Sequence, residues 1–136
     1  MFSPTNPEAV TAPNLHVTEI KAFVPTRDWA LCKRFYQALG FTLASEGGGV
    51  AYFHRDHAAF LRCDDSSAAL DGGFHMHLLV QDVDAWWQHV QATGVAEAFA
   101  EHGVRVGAIQ QQPWRMRDFT LTDPSGVVWR IAQNTD

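Results

Sequence analysis

Apolar residues along this chain alternate, then switch to helical spacing, and the sequence does this twice in the same order. In TEIKAFV, alternation places Ile20, Ala22 and Val24 on one face of an extended strand and Glu19, Lys21 and Phe23 on the other. HMHLLV repeats the pattern, with Met76, Leu78 and Val80 opposite His75, His77 and Leu79. After each strand comes a stretch of helical period. RDWALCKRFYQALGF (27–41) lies over QDVDAWWQHVQATGV (81–95) without a gap, matching Asp28 to Asp82, Gln37 to Gln91, Ala38 to Ala92 and Gly40 to Gly94. An Asp can accept hydrogen bonds from the free N–H groups that open a helix, and a Gly can take the left-handed turn that closes one. Each copy is therefore predicted as a capped helix. Leu31, Phe35 and Leu39 form the apolar stripe of the first; Ala85 or Trp86, His89 or Val90, and Thr93 form a weaker one in the second.

Short strands follow each helix. FTLASE, VAYFHR and AAFLRC supply three in the first half. In the second, two alternating runs around Asp-Pro-Ser-Gly read as a hairpin, with a less regular strand before them. The polar, glycine-rich DDSSAALDGG (64–73) reads as a joint, and the proline-containing residues 1–14 as a loose tail. The expected fold is α+β: one domain (15–136) of two βαβββ modules, 15–63 and 74–136, forming a curved mixed sheet. The helices should cover one face and leave a concave groove on the other.

With 136 residues, 46% hydrophobic, the chain supports one well-filled core. A net charge of −5 argues against a nucleic-acid surface, which needs a basic stripe. No apolar run is long enough to cross a bilayer, and the N-terminus lacks a secretory pattern, so a cytoplasmic protein is expected. Cys32 and Cys63 sit in unrelated contexts and read as reduced, buried thiols with no role as nucleophiles.

Paired βαβββ modules, a helix of the form D…FY..LGF (Asp28, Phe35, Tyr36, Leu39, Gly40, Phe41) and a closing DPSG hairpin resemble the vicinal oxygen chelate superfamily. That group includes glyoxalase I, extradiol dioxygenases and bleomycin-resistance proteins. QQPWRMRDFTLTDPSG (111–126) is most similar to the corresponding phrase of the bleomycin-resistance proteins. The resemblance implies three metal-ligand positions: seven residues before each helix-capping Asp, and seven after the Asp of the closing turn. Those positions hold Lys21, His75 and Arg130. A metal ion needs lone pairs at about 2.0–2.2 Å, which an ammonium or guanidinium cannot offer. Two like unit charges 4 Å apart also repel by about 4 kcal/mol at an effective dielectric of 20, and a divalent ion doubles this. No metal and no other cofactor is expected.

The expected ligand-binding set is Lys21, Phe23, His75, His77, Trp114, Asp118 and Arg130, with no catalytic residue. Trp114 reads either as a stacking plate or as a lid over the core. Lys21 and Arg130 read either as counter-charges for an anionic or carbonyl-rich ligand, or as ion-pair partners of Glu19 and Asp118. His54 and His57 of HRDH belong to a solvated hairpin tip, and His89 to helix packing. Trp129 alternates onto the core side, and of Trp86 and Trp87 one is expected in the core and the other against a partner subunit. The resemblance implies a homodimer that sequesters an antibiotic or natural product, an aromatic or peptide-like molecule. Because bleomycin is cationic and two cations line the groove, bleomycin itself is not the expected ligand. An alternative is a glyoxalase- or dioxygenase-type enzyme with a metal site rebuilt around His75 and His77. A third is an interaction domain whose groove is merely structural.

Overall fold

In the computed structural model, residues 12–63 and 74–136 are described; the joint at 64–73 and most of the tail lie outside them. The first module runs β1 (Phe23–Pro25), α1 (Trp29–Leu39), β2 (Thr42–Gly47), β3 (Val50–Arg55), β4 (Ala58–Cys63). The second runs β5 (His75–Leu79), α2 (Val83–Thr93), a short α3 (Val95–Ala98), then β6 (Arg105–Val106), β7 (Gln110–Gln112), β8 (Met116–Thr122) and β9 (Val128–Asn134). The modules form two mixed sheets of matching order: β1-β4-β3-β2, and β5-β9-β8-β6 with β7 also on β8. In each, the strand before the helix lies parallel to its neighbour and the rest are antiparallel.

The helix caps are as expected. Asp28 accepts from the Leu31 N–H and Asp82 from the Ala85 N–H, while Gly40 (φ +113°) and Gly94 (φ +73°) close the helices in the left-handed region. Gly40 has a second constraint. A Cβ there would stand 3.0 Å from an Arg55 guanidinium nitrogen and 3.1 Å from His89 Nε2, which crowd the end of α1 from both modules. Arg55 donates to the Gly40 carbonyl at 2.9 Å, and His89 Nε2 lies 2.6 Å from the Leu39 carbonyl. These contacts bind carbonyls that a helix C-terminus leaves without partners.

Two expectations need correction. Only Phe23 and Val24 of TEIKAFV are strand; Ile20, expected inward, is 90% exposed, and residues 12–22 have no regular structure. Alternation permits a strand, but strand pairing here begins at Phe23, opposite Leu61, with the Ala22 carbonyl accepting from the Leu61 N–H at 3.0 Å just before it. In α2 the buried residues are Val83 and Val90, with Trp86 and Trp87 both half-buried against the core, so neither tryptophan is the fully buried core residue expected of one of them.

One core serves both modules. The Phe60 ring of β4 lies 5.1 Å from the Trp129 ring of β9, and Phe35 of α1 lies 5.4 Å from Phe99. Within this core sits a fully buried polar cluster. Arg62 pairs with Asp123 at 3.0 Å, donates to Thr26 Oγ1 at 2.9 Å and to the Pro25 carbonyl at 2.8 Å. The Tyr36 hydroxyl donates to Asp123 at 2.6 Å and accepts from Trp129 Nε1 at 2.8 Å. The other Asp123 oxygen accepts from the Ser125 and Val127 N–H groups, which folds the Asp-Pro-Ser-Gly turn. The turn is thus fastened to the first module. Such a cluster is tolerated in a core because its hydrogen bonds are made; removing one partner strands a buried charge.

Candidate ligand-binding face

Because the covered faces of both sheets share one core, their other faces point outward and away from each other. This decides where the predicted site residues lie. Lys21 and Phe23 belong to the first sheet's side, with Phe23 60% exposed. His75, His77, Asp118 and Arg130 share the outward face of the second. Strand register sets them in rows: His75, Val128, Thr122 and Arg105; then His77, Arg130 and Thr120; then Leu79, Ala132, Asp118 and Gln110. Within one chain the seven predicted residues do not form one groove.

Both cations meet carboxylates. Lys21 Nζ lies 2.7 Å from Glu19, and this bond raises the Lys21 pKa above its ordinary value and lowers that of Glu19. Lys21 also lies over the Tyr52 ring, 5.0 Å from its centre. Arg130 donates to Asp118 at 3.1 Å, and the second Asp118 oxygen accepts from Gln112 at 2.9 Å. Asp118 itself is 1% exposed, so the half-exposed guanidinium is what this pair presents outward. Trp114 is 56% exposed in the turn between β7 and β8 and does not close over the core.

Sequence reading missed Thr120, Gln110 and Gln112, although Thr120 could have been found by alternation from Asp118. Tyr52 beside Lys21 was likewise passed over. Trp129 is buried and packs as expected, and Cys32 is buried, its thiol pKa raised chiefly by that burial. The three positions implied for metal do not fit one. Lys21 and Arg130 offer no lone pair, and among the described residues no three His, Cys, Asp or Glu side chains are grouped to hold an ion. His75 and His77 stand two residues apart on the strand, and among the described residues no third metal-binding side chain is grouped with them.

The model of the glyoxalase/bleomycin resistance protein/dioxygenase superfamily matches residues 15–131. The chain belongs to this superfamily. Among solved structures of the superfamily fold, a bleomycin-binding protein complexed with bleomycin superposes with a TM-score of 0.75 at 23% identity, covering 87% of this chain and 99% of that one. A bleomycin-binding protein from bleomycin-producing Streptomyces verticillus, complexed with copper(II)-bleomycin, gives 0.72 at 15% identity, covering 90% and 98%. TnmS3, an antibiotic-binding protein from a Streptomyces species, gives 0.66 at 24% identity, covering 90% and 100%. No curated protein sequence matches the chain. At these identities the superfamily likeness carries the fold; ligand and chemistry rest on the residues above.

Proposed function

We propose that this protein binds and sequesters a small organic molecule, an antibiotic or other natural product, on the outward face of its second sheet and without metal chemistry. The observation that carries this reading is the make-up of that face. His75, His77, Arg130 and Thr120 stand among Leu79, Val128 and Met116, with an exposed indole at its end. A few polar groups set in an apolar surface are the usual form of a ligand site. The superfamily's metal positions, filled by Lys21 and Arg130, support binding over metal-assisted turnover. The solved bleomycin- and antibiotic-binding relatives support the same class of function.

A homodimer completes the site. The two outward faces diverge within one chain, so Lys21 and Phe23 of a second copy would have to form the opposite wall. Leu15, Val17 and Ile20, each more than 80% exposed, are apolar surface that a second copy would cover. The functional test is a thermal-shift screen of aromatic natural products against wild type and Trp114→Ala. Replacing Trp114 is expected to abolish the ligand-induced shift while leaving the unliganded stability within about 0.5 kcal/mol. Equal loss of binding and of stability would return Trp114 to a packing role.

A further inference from the structure

We infer that the ligand is an acid, and that its anionic group lodges beside Arg105, in the cleft next to the Asp-Pro-Ser-Gly turn. The inference rests on the ligand reading of the second sheet's outward face. Arg105, Thr122 and Val128 stand in the row nearest that turn. The same three residues, with Arg27 and His102, line a cleft of about 380 Å³. None of these basic residues was singled out by the sequence.

Donors and acceptors in this region are unequally available. Asp123, the carboxylate of the cleft, is 1% exposed and already receives Tyr36, Arg62 and two backbone N–H groups. Asp118, two rows along the face, is equally buried, with Arg130 and Gln112 on its two oxygens. Glu101 lies 3.5 Å from His102 and is outside the residues that line the cleft. Arg105 is exposed and has no ion pair among the described residues. Among the described residues, what an incoming molecule meets at Arg105 is therefore guanidinium and the Thr122 hydroxyl, on a chain whose formal charge is −5. A guanidinium can offer a carboxylate or phosphate two parallel N–H bonds, and Thr122 can add a third donor.

Geometry sets where the rest of the ligand lies. Arg105 on β6 and Val128 on β9 flank Thr122 of β8 in one row, and neighbouring strands are about 4.8 Å apart, so that row extends about 10 Å from Arg105. An aromatic acid would place its carboxylate at Arg105 and its ring over Thr122 and Val128.

The test uses three probes with one ring system and different charge: 2-naphthoate, 2-naphthamide and 2-naphthylmethylammonium. Each is titrated into the full chain while backbone amide shifts are followed by NMR. Naphthoate is expected to bind about tenfold or more tightly than the ammonium, with shifts centred on Arg105, Thr122, Gly126 and Val128. Arg105→Gln should weaken naphthoate about tenfold and leave naphthamide unchanged. Equal binding of all three probes, tighter binding of the ammonium, or indifference of naphthoate to Arg105→Gln would overturn the acid assignment while leaving the ligand face standing. If no probe perturbs the second sheet, the acid assignment and the ligand reading both fall.

Discussion

Asp123 is fixed by more bonds than any predicted site residue, and its removal should show how the modules are held. Asp123→Ala leaves Arg62 charged in a dry core and is expected to cost about 3–5 kcal/mol in denaturant unfolding. Replacing both partners, Arg62→Met with Asp123→Leu, should cost less than either single change, because no unpaired charge remains. Tyr36 gives the pH dependence. Burial, reinforced by Asp123, holds its phenol well above the ordinary value of 10.0. The folded chain then keeps a proton that the unfolded chain releases near pH 10. The stabilisation is complete below that pH and is lost as the pH rises from there toward the folded pKa. Urea midpoints measured from pH 8 to 11 should fall above about pH 10, and Tyr36→Phe, already less stable, should show a shallower fall. At this scale the sequence was only partly legible. The Asp-Pro-Ser-Gly hairpin could be read, but Tyr36 and Asp123 are 87 positions apart, and nothing local announces their bond.

The helices and the hairpin were legible because their signals are local. Asp caps, Gly closures and an apolar stripe all fall within thirteen residues, and internal repetition doubled the signal. Gly40 joins this scale to tertiary packing. Gly40→Ala combines a left-handed backbone with a Cβ pressed on Arg55 and His89, and should cost about 1–3 kcal/mol in thermal or chemical unfolding. Gly94→Ala meets nothing within 4 Å and should cost less, which isolates the packing contribution. The first strand was over-read for the opposite reason. Alternation in TEIKAFV is a local signal, but strand formation depends on a neighbouring edge, and pairing covers only its end. Short β6 and β7 gave almost no period to read, which is why Arg105 and Gln110 went unnoticed.

Across the whole molecule, two sheets back onto one core and turn their other faces outward. The sequence supplied the inventory of these faces, including His75, His77, Asp118 and Arg130 on one of them. It could not supply their relative direction, which depends on how Phe60, Tyr36 and Trp129 meet between modules. A homodimer follows from this geometry as a proposal. Light scattering should return about twice the chain mass of 15.2 kDa, and replacing Leu15, Val17 and Ile20 together by Ser should return the single mass.

The most direct test of metal-free ligand binding is thermal denaturation of protein dialysed against EDTA, in the presence of aromatic natural products. A ligand at 100 times its dissociation constant adds about 2.7 kcal/mol, so a binder should raise the Tm by several degrees. The expected result is a shift of the same size before and after chelation, absent in Trp114→Ala. A shift that vanishes on chelation and returns with stoichiometric zinc, nickel, manganese or iron would contradict it.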